Sequence, residues 1–283
     1  MINTILSWRA LKKVFLERLE SKYGQQEASS QFKVLMAHVL QCKLNQVFLY
    51  LDDAPGVGQK ERFDEVLDAL ERGVPIQYIL NEAYFLDLNL SLDSAVLIPR
   101  PETEELVLKM QEILGSDFQG EITDLGTGSG CIALGLKKLL PKAKLYAMDF
   151  SPKALEVANN NSEKHGLAIN FYQGDILTGN FKCTEIMVSN PPYIPQRESA
   201  EMETWVLDHE PEEALFVPDE DPLLFYRSIL EKIIWDGACK QVFFEIHPKY
   251  ADELTIYCEE KGLKNFEFYP DLSGKIRIFS AKF

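Results

Sequence analysis

Three glycines at alternate positions, set between a strand-like and a helix-like segment, constrain this chain more than any other feature. Ile122-Thr123-Asp124-Leu125 has the length and apolar content of a short strand, and residues 131–140 read as a helix. Between them runs Gly126-Thr127-Gly128-Ser129-Gly130. Glycine permits the sharp turn needed there and lets a ligand approach the backbone closely. The G-x-G-x-G spacing is not the dinucleotide G-x-G-x-x-G, and no Lys-Ser/Thr pair follows, which excludes a nucleoside triphosphate P-loop.

The same alternation continues downstream. Residues 145–149, 171–175, 185–189 and 241–246 read as strands, interleaved with helices at 152–164, 223–235 and 249–261. Two β runs, 266–269 and 275–281, joined by Asp271-Leu272-Ser273-Gly274, close the chain. The expected fold is α/β, a seven-stranded doubly wound sheet.

Upstream the period is helical. Leu11, Val14, Phe15 and Leu19, then Phe32, Leu35, Met36, Val39 and Leu40, then Phe63, Val66, Leu67 and Leu70 form three apolar stripes. Turn signals at Tyr23-Gly24, Ala54-Pro55-Gly56-Val57-Gly58 and Arg72-Gly73-Val74-Pro75 separate them. Residues 1–75 are therefore predicted to be a small all-helical domain of four or five helices. Its first 20 residues, carrying Arg9, Lys12, Lys13, Glu17 and Arg18, form an amphipathic helix and not a secretion signal. From 76 to 98 the period becomes two, with Tyr84, Leu86, Leu88, Leu90 and Leu92 alternating with other residues, which predicts a β-hairpin linker. Residues 99–283 form the α/β domain.

Charge and composition exclude several classes. With 29 basic and 44 acidic side chains the net charge is −15, and no basic stripe is visible. A protein that holds duplex DNA displaces counterions with such a stripe, so direct duplex DNA binding is not expected. No window approaches the roughly 20 apolar residues of a membrane span. Five scattered cysteines without a C-x-x-C pair read as reduced thiols of a cytoplasmic protein, and four dispersed histidines suggest no metal site. A monomer is expected.

The chemistry is predicted at Asn190-Pro191-Pro192-Tyr193. An apolar run ends there at a side-chain amide and two prolines, and Pro-Pro cannot continue a strand because neither nitrogen carries a ladder donor. Asn190 thus sits at the carboxyl edge of a strand, where open α/β sheets bind ligands. The Asn190 side-chain oxygen and the Pro191 carbonyl offer two acceptors, and Tyr193 a flat face. Together they suit a planar NH2 group. Asp149 ends the strand after the glycine loop, where a carboxylate can accept both ribose hydroxyls, and Asp175 stands where an adenine amine would lie. This is the layout of an S-adenosylmethionine (SAM) site.

These residues resemble the release-factor glutamine methyltransferases, the PrmC/HemK group of SAM-dependent enzymes. The match runs from Gly73-Val74-Pro75-Ile76-Gln77-Tyr78-Ile79 through Ile98-Pro99-Arg100-Pro101-Glu102-Thr103-Glu104, the glycine loop and Asn-Pro-Pro-Tyr. It continues in Glu210-Pro211-Glu212-Glu213-Ala214-Leu215 and ends at Asp271-Leu272-Ser273-Gly274-Lys275-Ile276-Arg277. Asn81 stands where the family has a glycine, residues 219–223 lack a usual glycine, and Ile246-His247-Pro248 replaces an Ile/His-Gly. The resemblance implies a helical N-terminal domain that recognises substrate, a hairpin linker and a class I methyltransferase sheet. It further implies methylation of the glutamine amide nitrogen (N5) in the Gly-Gly-Gln loop of peptide chain release factors. Carried over, Gly126, Thr127, Gly128, Ser129 and Gly130 wrap the methionine end of SAM. Asp149 takes the ribose, Asp175 and Ile176 the adenine, with Thr103 also on the cofactor side, while Asn190 and Pro191 hold the substrate amide. Three alternatives remain: a glutamine methyltransferase of a ribosomal protein, an amino-group DNA methyltransferase, and a silent SAM-binding adaptor.

Because each charge-assisted hydrogen bond contributes about 1.5–3 kcal/mol, Asp149→Ala should weaken SAM binding at least about tenfold in calorimetry. Unchanged affinity would put the cofactor elsewhere.

Overall fold

The computed structural model describes residues 6–283, so the first five residues of the expected N-terminal helix lie outside the described residues. The chain divides into two compact units, the first ending at Asn81 and the second spanning Glu82–Phe283.

In the first unit, α1 (Trp8–Tyr23) is capped by Ser7, whose hydroxyl accepts the Ala10 N–H. Gly24, at φ 77°, turns the chain into α2 (Gln25–Leu40). A 3-10 turn (Leu44–Tyr50), α3 (Val57–Glu71) and α4 (Ile76–Leu80) follow. Each stripe supplies one large aromatic, and Phe63 packs against Trp8, Phe15 and Phe32 with ring centroids 5.9, 5.9 and 6.5 Å away.

The hairpin linker starts later than expected. Residues 76–80 are helical, and Ile76 and Leu80 are buried in the core of the first unit. Pro75 stands before the first helical turn, and Asn81 closes the last one in the left-handed region at φ 54°, which asparagine tolerates well. Asn81 thereby does the conformational work that a glycine would do there. The hairpin proper is β1 (Glu82–Phe85) and β2 (Leu88–Ser91). Its two-residue turn, Leu86-Asp87, has φ of 46° and 59° and lacks glycine. The Leu86 N–H donates to Glu104 and its carbonyl accepts from Lys138, which holds the strained turn in place.

The rest of the second unit winds around one sheet. Its elements are α5 (Pro101–Leu114), β3 (Glu121–Leu125), α6 (Cys131–Leu139), β4 (Lys144–Asp149), α7 (Pro152–His165), β5 (Asn170–Gln173) and β6 (Ile186–Ser189). An insertion follows, holding β7 (Ile194–Pro195), α8 (Thr204–His209) and β8 (Phe216–Val217). Then come α9 (Leu224–Asp236), β9 (Gln241–Glu245), α10 (Ala251–Glu260), β10 (Asn265–Pro270) and β11 (Ile276–Lys282). The strand order is β10-β11-β9-β6-β3-β4-β5, seven strands as expected, with β11 alone running antiparallel to its neighbours β10 and β9. The third parallel strand stops at Gln173, short of Asp175, which instead bridges Asn180.

Strands covered on both faces are apolar throughout. Ile186 and Val188 face one core with Ile122, Leu145 and Phe243, while Met187 faces the other with Met148, Phe244 and Phe279. Chain order reverses between β3 and β6, neighbours in the sheet with Leu125 opposite Ser189. The glycine loop and Asn190 therefore leave the sheet side by side. Among the described residues no helix is long and apolar enough to cross a membrane.

Phe63→Ala should cost the first unit about 3–5 kcal/mol, read from denaturant midpoints, because the cavity opens among three rings that cannot all collapse into it.

Candidate active site

The glycine loop is shaped by its own backbone. Gly126, Gly128 and Gly130 have φ of 74°, 54° and 84°, in the region that favours glycine. The N–H groups of Gly126 and Thr127 both donate to the Met148 carbonyl at 2.8 and 2.9 Å, tying the loop to the end of β4. At Gly128 the space a side chain would take is open, with nothing within 4 Å. At Gly130 the reason is packing, since a Cβ would sit 3.2 Å from that of Ala158 in α7. Asn161, fully buried, donates to the carbonyls of Ser91 and Ser129 and accepts the Ser91 N–H, so α7 joins the hairpin to the loop.

A cavity of about 910 Å³ opens over this loop, a volume suited to a cofactor. Gly126, Thr127, Gly128, Ser129, Asp149, Asp175, Ile176, Thr103, Asn190 and Pro192 line it. Gly130, Pro191 and Tyr193 flank these residues in the chain and are not themselves part of the lining. The carboxylate of Asp149 accepts the Gly128 N–H at 2.8 Å on one oxygen and the Ser151 N–H at 2.9 Å on the other. Each oxygen keeps a lone pair for a hydroxyl. Burial raises its pKa, and the backbone N–H groups of Gly128 and Ser151 counter that. Asp175 spends one oxygen on the Leu177 N–H at 2.8 Å. Phe150, 67% exposed, also lines the cavity. It is not among the site residues expected from sequence, where only its place directly after the strand-ending Asp149 points to it.

Asn190 lies half-buried, and its amide nitrogen donates to the Thr103 hydroxyl at 3.2 Å. That hydroxyl donates in turn to Glu245 Oε2 at 2.6 Å, and the Tyr193 hydroxyl donates to Glu245 Oε1 at 3.2 Å. Glu245 is 2% exposed at the end of β9, and burial raises its pKa against the two donated hydrogen bonds. Thr103 was expected on the cofactor side; it does line the cavity, but its hydroxyl is engaged between Asn190 and Glu245. A second carboxylate missed from sequence is Glu210. Its side chain has no exposed surface, and Arg100 reaches both oxygens at 2.7 and 2.6 Å, anchoring the 194–223 insertion beside the cavity. His247 stacks edgewise on Tyr193 at 5.8 Å, and burial lowers its pKa.

Asp124 sits beneath the loop, fully buried. One oxygen accepts the Thr127 hydroxyl at 2.6 Å; the other has no protein partner, and neither has the buried Ser129 hydroxyl. Burial, with the nearby Asp149 charge adding to it, pushes the Asp124 pKa up to about 7. An open backbone cradle, a carboxylate at the strand end and two orphaned polar atoms fit a polar cofactor such as SAM. A carboxyl raised in this way stabilises the fold at low pH. That contribution is lost as pH climbs from an unfolded value of about 3.9 through the folded value, a loss on the order of 4 kcal/mol. In thermal unfolding across this range, Asp124→Asn should therefore gain on the natural protein as pH rises, with the gap constant above about 7.

Residues 12–80 match the family model described as PrmC N-terminal domain, and residues 103–216 match that of the methyltransferase small domain. The release factor glutamine methyltransferase of Bacteroides thetaiotaomicron is 35% identical over 94% of this chain and 96% of its own length. That of Flavobacterium psychrophilum is 37% identical over 95% and 96%, and that of Bacillus subtilis 36% over 91% and 92%. Among solved structures, the hMettl16 catalytic domain in complex with an RNA hairpin aligns with a TM-score of 0.57 at 13% identity. It covers 80% of this chain and 82% of that one. The human methyltransferase 10 domain containing protein aligns at 0.52 and 14%, over 70% and 89%. Identities this low speak for the methyltransferase fold alone. Identity of 35–37% along nearly the whole chain says more: the protein belongs to the release factor glutamine methyltransferase family.

Proposed function

We infer that this enzyme transfers the methyl group of SAM to the side-chain amide nitrogen of the glutamine in the Gly-Gly-Gln loop of peptide chain release factors. The observation that carries the reading is Asn190 on the wall of the cavity that the glycine loop and Asp149 also line. When bound, SAM supplies an electrophilic methyl. Asp149 holds the ribose, the glycine loop the methionine end, and Asp175 with Ile176 the adenine side.

An amide nitrogen is a weak nucleophile because its lone pair is shared with the carbonyl. Two acceptors, Asn190 Oδ1 and the Pro191 carbonyl, take the two NH2 protons and hold the nitrogen so that its lone pair faces the methyl. They also stabilise the positive charge that develops on nitrogen. SAM held there would give its methyl from sulfur to this nitrogen, and the methylated nitrogen, strongly acidic, would pass a proton to water. No side chain has to act as base before attack.

The first unit docks the protein substrate. In support, it exposes Phe48 and Leu49, 67% and 62% exposed, beside a shallow groove flanked by Lys12 and Lys33. A net charge of −15 argues against duplex DNA as substrate. The enzyme works as a monomer in the cytoplasm, where release factors act.

Labelled SAM offered to release factors, ribosomal protein and DNA side by side, followed by mass mapping, tests the substrate. Asn190→Ala should lower single-turnover methylation of a release factor by about 10²–10³ with little change in its affinity. Asn190→Asp should retain more activity than the alanine variant. Near-natural turnover by Asn190→Ala would remove the residue from the mechanism.

A further inference from the structure

We propose that Glu245 is a positioning residue which, through the Thr103 hydroxyl, fixes which end of the Asn190 amide faces the substrate. The proposal rests on the methyltransferase reading above, and it concerns residues from three separate stretches of the chain.

An asparagine side chain has a donor end and an acceptor end of nearly the same shape, so sterics alone do not choose between its two orientations. Only the acceptor end suits a substrate NH2. With the amide flipped, two donors would meet and attack would be disfavoured. Something beside Asn190 must therefore demand a donor from it.

Thr103 does so only because of what lies behind it. A hydroxyl has a single proton, and in Thr103 that proton is committed to Glu245 Oε2 at 2.6 Å. The Thr103 oxygen can then act toward Asn190 only as an acceptor, and Asn190 Nδ2 fills that role at 3.2 Å. As a carboxylate Glu245 has no proton to give, and the two hydroxyls that donate to it, Thr103 at 2.6 Å and Tyr193 at 3.2 Å, favour that ionised form. The β9 backbone is pinned as well, because the Tyr226 hydroxyl donates to the Glu245 carbonyl at 3.0 Å. Thr103 and Glu245 are 2% exposed, so water cannot readily substitute for either partner. The direction of each bond follows from the carboxylate at the end of the chain. A buried acid that never touches the substrate thereby selects for a substrate that donates.

The test compares Glu245→Gln, Thr103→Val and Thr103→Ser with the natural protein. A glutamine can offer Thr103 a proton, which frees the threonine proton for Asn190 and permits the flip; valine removes the hydroxyl at nearly constant volume. Both should lower single-turnover methylation about 10- to 100-fold while the calorimetric affinity for SAM changes less than about threefold. Thr103→Ser should recover most of what Thr103→Val loses. In an Asn190→Ala background Glu245→Gln should cost nothing further, because its effect runs through that amide. The Asn190 side-chain NH2 resonances, assigned by their loss in Asn190→Ala, should shift in Glu245→Gln and Thr103→Val without any substrate present. Unshifted resonances, full activity in Glu245→Gln, or additive losses with Asn190→Ala would overturn the proposal. A natural protein that leaves release factors unmethylated would instead overturn the substrate reading, and the resonances would still decide the orientation.

Discussion

Two parallel strands, β3 and β6, lie side by side in the sheet and run out at the same level, with Leu125 opposite Ser189. Everything functional depends on that pairing. One residue beyond β3 the chain enters the glycine loop, and one residue beyond β6 it reaches Asn190. A slip of one residue in register would turn Met187 and Val188 to the wrong cores and carry Asn190 away from the cavity. The pairing is secured because every residue of β6, and every residue of β3 after Glu121, is buried, so each alternate side chain has a core to fill.

The second unit also buries three carboxylates deeply. Asp124, Glu210 and Glu245 are all under 5% exposed, and burial raises the pKa of each. Glu210 is answered by Arg100, Glu245 by two hydroxyls, and Asp124 by one hydroxyl with an oxygen left over. The least paired of the three, Asp124, is the one bonded to the glycine loop through Thr127. A domain optimised for stability alone would replace such groups by apolar ones. Their retention fits a site whose polar atoms are set out in advance for a ligand.

The cavity also explains why α/β regularity breaks in the 194–223 insertion. Those residues carry short strands, a six-residue helix and 3-10 turns instead of one crossover helix. Pro-Pro prevents a ladder directly after Asn190, and the Arg100–Glu210 pair then fastens the insertion to the segment preceding α5. Pro211, Glu213 and Ala214 thereby join Pro99 and Arg100 on the cavity wall.

Much of this was legible in residue order. Strand and helix periods, the glycine loop, the strand-ending Asp149 and Asn-Pro-Pro-Tyr are local patterns, and local sterics and hydrogen-bond chemistry make them mean the same thing wherever they occur. The seven strands and the position of Asn190 at a strand end follow from such patterns. Where a short local signal competes with a longer one, the pattern misleads. Residues 76–80 were absorbed into the period-two run that begins at Tyr84, although their burial against α2 and α3 makes them a helix. The roles of Thr103, Glu245, Arg100 and Glu210 were not legible at all. Thr103 lies 87 residues from Asn190 and 142 from Glu245, and Arg100 lies 110 from Glu210. A hydrogen bond between such positions has no periodicity and no spacing to read. It exists only because the sheet and α5 bring those side chains together after burial has removed water as the competing partner. Sequence therefore determined which chemical groups stand at the strand ends, and the tertiary structure decided which way they face.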